Sequence, residues 1–280
     1  MTETSRYADW SFDHQITIES FGLAIRLESN EAGLLRSLEE LARRVLLGDI
    51  KIIENNEPVM SFAIGVDHSH ERYILFNDDT YSHDSSSLDI VLELFVRLLR
   101  LFVAEFARDR VFVHAGVVEW KGKAIVIPAN SGMGKTTLVV EFVKQGAVYF
   151  SDEYAIFDES GYVHPFTRDL SVRSPGKVWS EKNGVPVEHF GGTRGVDPIP
   201  VGLVVLTEYA ESSVWQPELL SYGRGIIEMV QHTISLNAEP EFSLKVLKSA
   251  LENAIILKCL RGDAREAAKN ILSFCDNSLH

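Results

Sequence analysis

The chain has 280 residues, enough for one large domain or two ordinary ones, and its 45% apolar and 24% charged residues make a globular rather than a disordered balance. A formal charge of −13 argues against broad binding of nucleic acid, which needs a basic stripe to neutralise phosphates. Two cysteines, Cys259 and Cys275, imply no disulfide framework, and the first residues carry no basic, apolar leader. A reducing, cytoplasmic setting is therefore expected.

In chain order, residues 15–28 alternate apolar and polar in two short runs around Phe21 and Gly22, the pattern of two strands. Leu34, Leu38, Leu41 and Val45 then share one face of a helix over 31–46, with Asn30 as its expected N-cap. Further strands are expected at 59–65 and 72–76. Residues 87–108 form a very apolar helix whose polar stripe is Asp89, Glu93, Arg97 and Arg100. Those charges argue against a membrane span, and so apolar a circumference predicts burial on several sides. The expected division is a small α+β unit over 1–86 and a second domain over 87–280. The first carries no chemical signature.

From residue 111 onward the order becomes strand, loop, helix. Strands are expected at 111–118, 123–128, 147–151, 154–158, 201–207 and 254–260, and helices at 134–145, 224–236, 241–251 and 264–274. This alternation predicts an α/β fold, a mostly parallel or mixed sheet flanked by helices.

The chemistry begins at 129–137, which follows the buried strand Ala124 to Pro128 and opens a helix. Asn130, Ser131, Gly132, Met133, Gly134, Lys135, Thr136 and Thr137 fit the Walker A phosphate-loop pattern (P-loop), except that Ala129 stands at its first glycine. Gly132 and Gly134 let backbone N–H groups turn toward phosphate oxygens. Lys135 supplies a cation to the β- and γ-phosphates, the helix N-terminus adds partial positive charge, and the Thr136 hydroxyl is placed to ligate Mg²⁺. The next strand ends at Ser151, Asp152 and Glu153. In a strand–helix–strand unit it presents its C-terminal end on the same side as the loop. One of these carboxylates can then hold the metal, and the other can orient an attacking hydroxyl and accept its proton.

Together, Val113, His114, Ala115 and Gly116, the loop from Ala129 to Thr136, Gly146, and Ser151 to Glu153 resemble the catalytic core of HPr kinase/phosphorylase and its kinase-like relatives. The resemblance spans 111–174. It implies a P-loop fold like the C-terminal domain of that family, use of ATP and Mg²⁺, and phosphoryl transfer to a serine of a peptide or protein, with a homo-oligomer left open. It also implies that Asp152 is the base for the acceptor hydroxyl, that Glu153 is a second acidic or metal-linked group, and that His114 sits near the γ-phosphate. Glu153 stands where the family more often has Asp, and Thr137 where Glu is common.

Arg168 and Arg173 follow the acidic pair, and Arg173 is taken as a candidate to neutralise charge on the moving phosphoryl group. Residues 175–200, rich in Gly, Pro and charge, read as a lid carrying Arg194. His68, His70 and His83 lack the spacing of a metal site, and Asp263 with Glu266 reads as a capping box. A small-molecule kinase and a non-catalytic nucleotide-binding regulator are the competing readings.

Overall fold

A computed structural model describes residues 7–46, 50–54, 57–130, 133–173 and 182–278, with 171–173 and 182–183 described by their backbone alone. The chain divides into two compact units, Met1–Asp109 and Arg110–His280.

The first unit runs β1 (His14–Ser20), β2 (Leu23–Ser29), α1 (Ala32–Leu46), β3 (Lys51–Ile52), β4 (Met60–Asp67), β5 (Arg72–Asn77), β6 (Thr80–Ser85) and α2 (Leu88–Phe106). Its six-stranded sheet has the order β3-β1-β2-β4-β5-β6. The β2–β4 pair is parallel and the other neighbours are antiparallel. Because successive strand residues point to opposite faces, Phe62 meets Phe95 and Phe102 of α2, while Ala63 beside it joins Ile74 and Phe76 under Tyr7, Trp10 and Phe12. Asn30 does not cap α1. Its amide exchanges two hydrogen bonds with the backbone of Val66, at 3.0 and 2.9 Å, and so ties the helix entry to β4. The helix α2 packs on α1, β5 and β6, so the chain divides after it rather than at the expected residue 86. Only one of its faces is buried, through Val91, Phe95, Leu99 and Val103, and Ile90, Leu101 and Phe106 stay exposed. Among the described residues no helix is long and apolar enough to cross a membrane.

The second unit runs β7 (Val111–Trp120), β8 (Lys123–Pro128), α3 (Lys135–Lys144), β9 (Val148–Ser151), β10 (Tyr154–Phe157), β11 (Val163–His164), β12 (Leu170–Arg173), β13 (Lys182–Val185), β14 (Val201–Tyr209), β15 (Glu218–Leu219), α4 (Tyr222–Val230), α5 (Pro240–Leu251), β16 (Ile255–Arg261) and α6 (Ala264–Ser278). The mixed sheet has the order β11-β10-β7-β8-β14-β16-β15, and β9 also pairs with β7. Alternation along the strands makes two cores. Val118, Ile125, Ile127, Val205 and Leu257 face Leu138, Phe142 and Ile271 of α3 and α6. Val113, Val117, Val126, Val204 and Ile256 face Met229, Val246 and Leu251 of α4 and α5. Helices therefore cover both faces, which is why these strands read as nearly unbroken apolar runs. The helix expected over 224–236 stops at Val230 and resumes as a single 3-10 turn, Ile234–Leu236.

The expected lid over 175–200 is packed where it is described; residues 174–181 lie outside the described ones. β13 pairs with β12, and Tyr149 N donates to Thr193 O and Gly195 N to Tyr149 O, so the chain runs beside β9. Arg194 donates to Glu188, to Asp169 and to the Thr167 carbonyl, which fastens the segment instead of reaching over the loop.

Candidate functional site

β8 and β9 both run antiparallel to β7, which lies between them, so they run parallel to each other and end on the same side. The sequence places those two ends as direct neighbours; the intervening strand is what brings in His114. On β7, Ala115 pairs with Pro128 at the end of β8, and Val117 pairs with Ser151 at the end of β9. Pairing with β7 resumes at Tyr154 opposite His114, leaving Asp152 and Glu153 as a break. The Ser151 hydroxyl causes that break. It accepts from the backbone N–H groups of Glu153 and Tyr154, at 3.1 and 3.0 Å. The residues of the resembling motif thus meet because the ends of β8 and β9 flank β7.

Lys135 is the first residue of α3. Its ammonium folds back over the loop before it, donating to the Ala129 carbonyl at 2.6 Å, the Asn130 carbonyl at 3.0 Å and His114 Nε2 at 3.4 Å. The fold-back needs Gly134, which takes the left-handed φ of 78° in front of the helix. Gly116 serves close approach instead: a Cβ there would lie 2.8 Å from a methyl of Val139, so the small residue lets α3 sit down on β7.

Asp152 is buried and receives two hydrogen bonds on different oxygens, from the Thr136 hydroxyl at 2.9 Å and the Tyr149 hydroxyl at 3.1 Å. Tyr149 is fully buried. Burial first, then the Asp152 charge and its hydrogen bond, push the phenol far above its ordinary value, so it stays a donor. Glu153 turns to Arg168, whose guanidinium donates to it at 2.9 Å with both side chains about three-quarters buried. On the other side of the loop, Arg261 at the end of β16 donates to the Met133 carbonyl at 2.8 Å.

No protein-family model matches the chain, and none of the curated proteins matches it. Among solved structures, the Hpr(Ser) kinase/phosphatase from Coxiella burnetii is similar over 59% of this chain and 94% of that one, at 13% identity and a TM-score of 0.32. A likeness that loose carries no residue's role from one chain to the other. The site stands on its own geometry.

Of the residues singled out from sequence, Asn130, Met133, Gly134, Lys135, Thr136, Thr137, His114, Asp152 and Glu153 fall in this one region. Ser131 and Gly132 lie outside the described residues, as does the side chain of Arg173. Arg168 is seen on the acidic pair, paired with Glu153. The sequence reading missed Tyr149, Arg261 and His232. The backbone carbonyl of His232 accepts from His114 N at 2.8 Å, and its imidazole is held below its ordinary pKa by burial and then by the Lys135 charge. No local motif marks these three: Tyr149 stands on β9 itself but reads as an ordinary buried strand residue, while Arg261 comes from the end of β16 and His232 from the turn after α4. In the first unit His68 and His70 pair with Glu31 and Asp67. Among the described residues no group of three or more His, Cys, Asp or Glu side chains is placed to share a metal.

Proposed function

We propose that the second unit is an ATP- and Mg²⁺-dependent phosphotransferase. In this reading it moves the γ-phosphoryl group to a serine or similar hydroxyl of a peptide or protein in the cytoplasm, as the resemblance to the HPr kinase family implies. The carrying observation is the convergence of Lys135, His114, Thr136 and Asp152 where the ends of β8 and β9 flank β7. Phosphoryl transfer asks little covalent chemistry of a protein and much positioning and charge neutralisation. A buried lysine beside a buried carboxylate offers both.

In this reading the loop is a phosphate loop, and Lys135 moves from its own carbonyls onto the β- and γ-phosphate oxygens. The Thr136 hydroxyl is a hard oxygen, the donor type that Mg²⁺ takes, and would hold the ion, which leaves the Asp152 carboxylate 2.9 Å from it to serve as the base. When bound, the ion neutralises phosphate charge. The acceptor oxygen bonds to the γ-phosphorus as the bond to the β–γ bridging oxygen breaks. Asp152 takes the acceptor's proton, and ADP leaves. Tyr149 keeps that carboxylate in place. Glu153 holds Arg168 beside the reacting group, where its guanidinium neutralises charge as the phosphoryl group moves.

The test is label transfer from γ-phosphate-labelled ATP, with Mg²⁺, to serine peptides and to proteins of a lysate of the source cell. Lys135→Met and Asp152→Asn should each lower the rate by about a hundredfold or more. Transfer that survives Asp152→Asn removes the proposed mechanism. Tight ATP binding with no transfer to any acceptor favours the non-catalytic regulator, and transfer to small hydroxyl compounds alone favours the small-molecule kinase.

A further inference from the structure

On the flank of the loop away from the acidic pair lies a cavity of about 700 Å³ between the start of α3 and the ends of β14 and β16. Both strands run parallel to β8, so their C-terminal ends open on the side where the loop lies. In open α/β sheets, ligands bind outside those strand ends. Four features of the lining matter. Tyr209, the last residue of β14, is 60% exposed although it is aromatic. Glu211 and Ser212 follow it with a carboxylate and a hydroxyl. Arg261 closes the cavity's inner end at only 6% exposure, with its guanidinium 5.9 Å from the centre of the Tyr209 ring.

Arg261 joins the cavity to the loop. It donates to the Met133 carbonyl, and a Cβ on Gly134 would lie 2.6 Å from its Nη2, so guanidinium and loop are in intimate contact. Its Nε is buried without an acceptor among the described residues, although burial lowers the pKa of the group and makes an unmet donor costly. A charged side chain kept in this state, where a glycine-rich loop meets a cavity, is unexplained by packing.

Resting on the phosphotransferase reading, we propose that this cavity takes the nucleoside end of the bound nucleotide, with the base stacked on Tyr209 and the ribose toward Glu211 and Ser212. The acceptor is excluded from it by position. His114, Asp152 and Arg168 lie on the β7–β9–β10 side of the loop, and the cavity lies on the β14–β16 side. A nucleotide whose γ-phosphate faces Asp152 therefore carries its ribose and base toward Tyr209. Arg261 makes the two ends communicate, because the side chain lining the nucleoside cavity also holds the loop carbonyl at Met133. Aromatic stacking reads any base by its π-face, and the large purine face gains most from it. The site should thus favour ATP and GTP over UTP without separating the two purines sharply.

The experiment compares equilibrium binding of ATP, UTP and inorganic tripolyphosphate, each with Mg²⁺, to the full chain and to Tyr209→Ala and Lys135→Met. Tyr209 is exposed, so its truncation leaves the fold in place. Loss of the stacking surface should weaken ATP about tenfold and leave tripolyphosphate within twofold. Lys135→Met should weaken both. If Tyr209→Ala binds ATP as the parent does, or loses ATP and tripolyphosphate equally, the nucleoside does not lie in this cavity and the inference falls, while the phosphotransferase reading stands. If the parent chain binds none of the three, that reading itself fails.

Discussion

The two units are built alike, a mixed sheet with helices against it, yet they distribute charge differently: among the described residues of the first, one charged side chain is buried, Glu28, under a hydrogen bond from the Tyr7 hydroxyl. At that unit's surface, His68 and His70 hydrogen-bond to the Glu31 and Asp67 carboxylates, with each imidazole side chain 74% exposed. In the second, Lys135, Asp152 and Arg261 are each less than a tenth exposed and lie around one loop. Burying an ion costs several kcal/mol unless partners replace its water, so a fold keeps such groups where their chemistry is used. Here the replacements are visible: loop carbonyls for Lys135 and Arg261, and hydroxyls for Asp152. The surface pairs of the first unit need none.

That contrast can be broken most sharply at Gly116. Gly116→Val puts side-chain atoms where Val139 already sits, forcing α3 away from β7 and taking Lys135 and Thr136 with it. A stability loss of about 2–3 kcal/mol in urea unfolding is expected, together with loss of ATP binding. Unchanged binding would show that the site does not depend on how closely the helix sits. Tyr149→Phe should cost about 1 kcal/mol at neutral pH, since it removes one donor from Asp152. It should also alter the alkaline limb. The folded-state phenol is raised above its ordinary value of 10.0, so the stability it contributes is whole below about pH 10 and is lost as pH rises toward the folded value. Parent and variant should therefore converge in stability above that pH. Parallel curves from pH 8 to 11 would mean the phenol is not shielded. The smallest effect belongs to the first unit. His68→Ala should change stability by less than about 0.5 kcal/mol, because its pair with Glu31 is screened by water. A loss of more than about 1 kcal/mol in thermal unfolding would erase the difference between the units.

Much of the fold was legible in advance. Strand alternation and apolar periodicity marked β1, β2, α1, β4, β5, β7, β8, α3, α5 and β16 within a few residues. β6 was missed because Thr80–Ser85 is polar and only half-buried; it is a strand because β5 offers it an edge. The single helix expected over 224–236 breaks after Val230, where His232 and Thr233 join β7 by backbone contacts that no local pattern announces. Asn30 looked like a cap because caps are local, but its partner is Val66, across the sheet.

The sequence by itself determined the local chemistry: a glycine-rich turn leading into a helix at Lys135, a carboxylate pair after a strand, and a histidine on a buried strand. Each depends on residues adjacent in the chain, where backbone geometry and spacing fix what the side chains can do. Only the tertiary structure decided that β7 runs between β8 and β9, that Arg168 meets Glu153, that Tyr149 steadies Asp152, and that Arg261 closes the far side of the loop. The Arg261 contact spans 128 residues of chain and the Arg168 contact 15, while Tyr149 lies three residues from Asp152 and needs the fold only to bury it. These contacts follow from sheet order and burial, which pair residues by their place in the packed layers and not by their distance along the chain.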